Sequence, residues 1–163
     1  MLSLTRKADY ALVALAYLGH RHEQQIGPAS ARFIADEYKL PLPLLMNILK
    51  ELASSNLLTS TRGAAGGYML AKPPAEISIL QIIEVIEGPL RVTLCSDEDA
   101  PKDKPCDVEP NCPIRKPIRR LHRKLATFLK EMSLADLICE CDFEKADNIT
   151  APSIAPAVFS QAL

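Results

Sequence analysis

The chain has 163 residues, 48% of them hydrophobic, and carries 19 basic against 20 acidic side chains for a formal net charge of −1. That length suits one domain with appendages and suffices to bury a core, while near-neutral charge excludes a nucleic-acid binder that works through bulk positive charge. The count of 5 cysteines is odd, which excludes a complete intrachain disulfide framework.

Leu4, Ala8, Ala11, Leu12, Leu15 and Leu18 recur at helical spacing, with Thr5 ahead of them as a candidate N-cap. Tyr10, Val13, Ala14 and Tyr17 make the opposite face apolar too, so this helix is expected to be buried from more than one side. Arg6 and Lys7 ahead of an apolar run resemble a signal peptide in charge order. Asp9 interrupts the junction, however, and no small-residue cleavage site precedes His20-Arg21-His22-Glu23. No segment reaches the ~20 apolar residues of a membrane span. A cytoplasmic, reducing location without membrane contact is the expectation.

Gly27-Pro28 breaks the chain, and Ser30 is placed to cap a short helix with Ala31, Ile34, Ala35 and Tyr38 inward. Lys39-Leu40-Pro41-Leu42 forms a tight turn, and Pro43 suits the first turn of a second helix running to about Ser54, with Ile48, Leu49 and Leu52 buried. Two helices across a four-residue turn make a helix-turn-helix. Residues 57–61 and 68–71 then read as strands around Arg62-Gly63-Ala64-Ala65-Gly66-Gly67, a hairpin in the position of a wing. Ser78 with Gln81 forms a capping-box pair for a helix holding Ile79, Ile82, Ile83 and Ile86, and Gly88-Pro89 stops it.

The next stretch holds Cys95, Cys106 and Cys112, and Pro101, Pro105, Pro110 and Pro113 keep it irregular. Thiolates suit iron, and a cysteine-bearing loop in a reducing compartment points to metal or redox use. The loop is acidic, whereas Arg115, Lys116, Arg119, Arg120, Arg123, Lys124 and Lys130 make the following helix basic, which reads as a solvated face, with a phosphate-facing surface as the lesser alternative. Ile114, Ile118, Leu121, Leu125, Phe128 and Met132 are spaced as the seam of a helix packed along a partner helix, most simply in a symmetric dimer. The competing reading packs that seam inside one subunit. Cys139 closes an apolar run and reads as packing, with Cys141 a minor redox or accessory-ligand candidate. The remaining tail, rich in Ala and Pro, is expected to be a mobile extension.

Three features in this order resemble the IscR/NsrR family of bacterial winged-helix regulators that bind iron–sulfur clusters. They are the opening Leu4-Thr5-Arg6-Lys7-Ala8-Asp9-Tyr10-Ala11-Leu12, the wing Arg62-Gly63-x-x-Gly66-Gly67-Tyr68, and three cysteines before a long helix. The resemblance spans roughly residues 1–139. It implies a mainly α fold with a small β-hairpin wing: a winged helix-turn-helix over 1–75, then a connecting helix, a cluster loop over 95–112 and a dimerisation helix over 113–133, with the tail from 140 outside it. It further implies a homodimer whose binding to double-stranded operator DNA, as a repressor, is set by a 2Fe–2S or 4Fe–4S cluster answering to nitric oxide, redox state or cluster supply.

By the same resemblance the cluster ligands are Cys95, Cys106 and Cys112. The ten residues between the first two are more than the best-known members have, whereas the five before the third match the family. One branch takes a fourth ligand from a histidine three residues past the last cysteine, where this chain has Arg115. The NsrR branch takes an aspartate from the first helix of the other subunit, and the match is Asp9. Carboxylate is the harder, weaker ligand for iron and would be the labile corner.

For DNA, the second helix of the pair would enter the major groove through Leu44, Met46, Asn47 and Lys50, and Arg62 beside Gly63 would enter a minor groove. Thr5, Arg6, Lys7 and Ser30 would anchor phosphates. Met46 stands where the iron–sulfur biogenesis regulator carries glutamate, so a different operator is expected. The alternative is a cluster-free or zinc-bound regulator that uses its cysteines as a thiol switch, although no CxxC pair favours zinc. No nucleophile–base pair or paired acids suggest an enzyme.

Overall fold

The computed structural model describes residues 4–63, 66–93 and 111–139. Cys95, Cys106, Cys141 and the C-terminal tail lie outside them.

Helix α1 (Arg6–Glu23) lies at the centre, burying Ala8, Ala11, Ala14, Leu15, Tyr17, Leu18 and Gly19. Small residues on this helix let neighbours approach its backbone closely. Thr5 occupies the N-cap position, but its side chain makes no capping bond; its hydroxyl donates to the Glu87 carboxylate instead. Leu4 lies outside the helix and is exposed. At the other end Arg21 organises the exit. Its guanidinium donates to the carbonyls of Gly27 (3.2 Å) and Ile26 (3.3 Å) and to the Tyr17 hydroxyl (3.1 Å), and lies 5.7 Å from the centre of the Tyr17 ring. These bonds satisfy carbonyls in a connection that has no regular structure to do so.

Helix α2 (Ala31–Glu37) begins at Ser30, whose hydroxyl accepts from the Phe33 N–H at 3.1 Å, as expected. It ends with Lys39 at φ +52° and a bond from the Leu40 N–H back to the Ala35 carbonyl at 2.8 Å. That is a left-handed helix stop, here without the usual glycine. Helix α3 (Leu42–Ser54) follows with Pro43 in its first turn and Leu45, Ile48, Leu49 and Leu52 buried. Its end repeats the same stop through Asn56 at φ +58° and the Leu57 N–H bonded to the Leu52 carbonyl at 3.0 Å.

Strands β1 (Leu58–Thr61) and β2 (Gly67–Leu70) pair antiparallel, with Leu58 opposite Leu70 and Thr61 opposite Gly67. Tyr68 also pairs with Ala29, so the segment between α1 and α2 adds a third rung to the wing. Gly67 permits this: a Cβ there would lie 2.3 Å from the Ala29 carbonyl oxygen. A one-turn 3-10 helix (Pro74–Glu76) leads to helix α4 (Ile79–Glu87), which carries the expected Ser78–Gln81 capping box and ends at Gly88, φ +85°.

Helix α5 (Arg115–Glu131) lies within the expected 113–133 and differs from the rest, because none of its residues is fully buried. The chain then turns into helix α6 (Leu134–Cys139), which the sequence reading did not anticipate. Ser133 caps α6: Asp136 accepts from the Ser133 N–H and hydroxyl, each at 2.7 Å. These bonds hold the Asp136 carboxyl below its ordinary pKa. Backbone bonds from Ile79 N–H to the Met132 carbonyl (2.9 Å) and from Leu134 N–H to the Ile77 carbonyl (2.8 Å) pin this corner to the start of α4. Leu134 and Ile138 enter the same core as α1, and Gly19 makes room, since a Cβ there would meet the Ile138 Cδ1 at 2.2 Å. Cys139, expected to pack in apolar surroundings, is exposed instead. The α6 side chains that reach the core are Leu134 and Ile138, four apart and so on one face.

Candidate nucleic-acid interface and thiol site

Helix α3 packs on both α1 and α2, and Ile34, Leu45, Ile48 and Leu49 are all fully buried, which holds the outer face of α3 rigidly. On that face Met46 (39% exposed), Asn47 and Lys50 point to solvent, while Leu44 is half-buried against the core. A helix with three exposed side chains within five positions, on a fixed scaffold beside a hairpin, presents a surface of the shape that enters a major groove. Arg62 and Gly63 sit exposed at the tip side of the wing, with Gly63 at φ +116°.

The entrance of α1 looks different from the sequence reading. Arg6 is exposed, but Thr5 and Lys7 have intrachain partners. The Thr5 N–H donates to Glu87 at 3.1 Å. The Lys7 ammonium lies 2.7 Å from the Glu51 carboxylate and donates to the Ile86 carbonyl at 3.3 Å. Ser30 is committed to its cap on Phe33. Sequence reasoning missed Glu51, Glu87 and Arg21 because each acts through a partner distant in the chain or through backbone carbonyls, and neither leaves a motif.

Of the thiol-site candidates, Cys112 and Asp9 are described. Cys112 is half-buried just before α5, and its carbonyl accepts from the Arg115 N–H at 3.4 Å. Asp9 is exposed in the first turn of α1, and its carboxylate has no polar partner among the described residues. Among the described residues no group of three or more His, Cys, Asp or Glu side chains could hold a metal within one chain. A reachable thiol and an unengaged carboxylate are donors that iron accepts, so what is described fits an iron–sulfur group shared with residues elsewhere. The start of α5 adds a second feature. Ile114 gives no capping bond, and the first turn holds Arg115 and Lys116 and no acid. Cations at the positive end of a helix are unfavourable and leave that end suited to an anionic neighbour.

The α5 seam is split. Ile114 (56%), Leu121 (50%) and Phe128 (57%) are exposed, whereas Ile118, Leu125 and Met132 are half-buried. Among the described residues the apolar stripe is thus only partly covered.

A family model described as Rrf2, iron-dependent transcriptional regulator, matches residues 4–140. The chain belongs to the Rrf2 family. It is 30% identical over 137 residues to the HTH-type transcriptional regulator NsrR of Oceanobacillus iheyensis, covering 84% of this chain and 90% of that one. Among solved structures it resembles CymR (YrzC), the global cysteine regulator of B. subtilis, with a TM-score of 0.66 and 29% identity over 87% of this chain and 100% of that one. IscR of T. potens gives a TM-score of 0.63 over 93% of this chain and 94% of that one, a likeness of fold at 24% identity. The Rrf2 chain is therefore a winged-helix transcriptional regulator, with DNA binding as its activity rather than catalysis. Among the described residues no helix is long and apolar enough to cross a membrane.

Proposed function

We propose that this Rrf2 regulator is a cytoplasmic, homodimeric repressor whose affinity for operator DNA is set by an iron–sulfur cluster. The ligands would be Cys95, Cys106 and Cys112 of one subunit and Asp9 of the partner subunit. The observation that carries this reading is the position of Cys112. It lies half-buried directly ahead of α5, a helix with a cationic first turn and an apolar stripe partly exposed among the described residues. Input chemistry and dimer contact would thus share one element. When bound, such a cluster supplies redox change and reactivity toward nitric oxide. The exposed, unengaged Asp9 would be its weak corner.

Ile114, Leu121 and Phe128 would meet their counterparts across the two-fold axis, with Ile118, Leu125 and Met132 bridging the two sides of the seam. Met46, Asn47 and Lys50 would read the major groove, with Leu44 fixing the helix from behind. Asn47 suits adenine, Lys50 guanine or phosphate, and Met46 the thymine methyl. Arg62 beside Gly63 would enter a minor groove. Arg6 would anchor phosphate, as would the N-terminal end of α2 at Ser30.

A second reading is a cluster-free or zinc-bound thiol switch. It is supported by the likeness to a cysteine regulator and by the exposed Cys139. The test is operator affinity at fixed salt, measured anaerobically before and after the iron is stripped by a chelator. The cluster reading expects a change of about tenfold or more, which corresponds to roughly 1.4 kcal/mol of coupling. Equal affinities, with a change on thiol oxidation instead, would favour the switch.

A further inference from the structure

The N-terminal end of α1 and the C-terminal end of α4 cap each other. Glu87, the last residue of α4, accepts from the Thr5 N–H at 3.1 Å and from the Thr5 hydroxyl, so it serves as the external N-cap that α1 lacks. In return Lys7 donates at 3.3 Å to the carbonyl of Ile86, in the last turn of α4, where carbonyls have no intrahelical donor. The same ammonium reaches Glu51 of α3 at 2.7 Å. One side chain of α1 thus reaches two other helices. Lysine suits the post, because its compact ammonium has three donors and can serve a carbonyl and a carboxylate together.

The position gives this knot its meaning. Glu87 is followed by Gly88-Pro89 and the segment that carries the cysteines. Glu87 also lines a cleft of about 510 Å³ with Leu4, Ile83, Leu90, Leu125 and Leu129, between the end of α4 and α5. A shift of α5 or of the segment after Gly88 would therefore reach the end of α4 first.

We propose that Lys7 is a positioning residue that ties the DNA-reading helix α3 to the end of α4 through Glu51 and the Ile86 carbonyl, so that movement at that end alters how α3 meets DNA. The proposal rests on α3 as the reading helix, but not on the presence of a cluster. It differs from a phosphate contact by Lys7 in a way that can be measured.

The test uses the full-length protein and a duplex enriched from a random-sequence library by the wild-type chain. Affinity is followed against salt for Glu51→Gln, Lys7→Gln, Asn47→Ala and Lys50→Ala, with a scrambled duplex as competitor and circular dichroism to establish folding. Positioning predicts that Glu51→Gln and Lys7→Gln each weaken binding to the selected duplex by about three- to tenfold. Preference over the scrambled duplex should fall, and the salt slope should stay unchanged. Glu51→Gln is near-isosteric and removes no possible phosphate contact, so its effect is decisive. Unchanged or tighter binding by Glu51→Gln, together with a salt slope lowered by about one in Lys7→Gln, would make Lys7 a phosphate contact and overturn the proposal. Loss of binding in Asn47→Ala and Lys50→Ala with no effect at Lys7 or Glu51 would overturn it alone. No effect at Asn47 and Lys50 would remove α3 as the reading helix and this inference with it.

Discussion

Helices α1 and α5 are of similar length and both carry apolar residues at helical spacing, yet α1 buries seven residues completely and α5 none. Helix α1 is wrapped by α3, α4, α6 and the wing. Its alanines and Gly19 let those neighbours in closely, and packing at that density holds α3 in place. Helix α5 is held along one side by α4 and pinned at its end by Met132 and Ser133, while Ile114, Leu121 and Phe128 on its other side are exposed among the described residues. Among the described residues one region buries its apolar face and the other leaves part of it exposed.

The contrast is most open to attack in the core. Leu45→Ala should cost about 2–5 kcal/mol, read by denaturant unfolding, because Leu45 is fully buried among α1–α3. A loss below about 1 kcal/mol would mean that the scaffold of the reading helix is loosely packed. Leu121→Asp should behave in the opposite way. Its side chain is half exposed, so the fold of one chain should change by no more than about 0.5 kcal/mol. Sedimentation should nevertheless show the proposed dimer lost at micromolar concentration. A dimer that survives would place the self-contact elsewhere.

Smaller effects sharpen the picture of how each region ends its helices. Lys39→Gly should stabilise the chain by about 1 kcal/mol, since Lys39 holds φ +52° in the turn between α2 and α3. No gain in melting temperature would mean that the turn relaxes without glycine. At α6 the effect is pH-dependent. The Asp136 pKa is lowered by its bonds from Ser133, so the anchoring it gives is present above the ordinary carboxylate range and is lost as pH falls through the lowered value. Protection of the α6 amides, taken relative to the intrinsic exchange rate at each pH, should fall at acid pH in the wild type, and Asp136→Asn should flatten that dependence.

These regions also divide what the sequence could reveal. The Ser30 cap and the Ser78–Gln81 box were legible because each depends on residues three positions apart, and the helix pair and hairpin because each joins neighbouring segments across a short turn. Helix α6 was not, because at six residues it shows little periodicity and owes its place to a capping serine and to Gly19, far earlier in the chain. The Ala29–Tyr68 rung escaped for the same reason, a backbone pairing that Gly67 permits but does not announce. At the α1 entrance a motif of charged residues suggested phosphate contacts, whereas Lys7 and Thr5 turn to Glu51 and Glu87. Residue type gave the chemistry there, and only the fold gave the partner. Cys95 and Cys106 remain readings from sequence, with Cys112 and Asp9 as their described counterparts.

The central claim is that the cysteines ahead of α5 hold an iron–sulfur cluster. Optical and Mössbauer spectra of anaerobically purified protein test it most directly, with Cys106→Ala prepared in parallel. The account predicts a coloured wild-type protein with iron and sulfide in cluster proportion, and a colourless Cys106→Ala. A colourless wild-type protein holding stoichiometric zinc under the same conditions would contradict it.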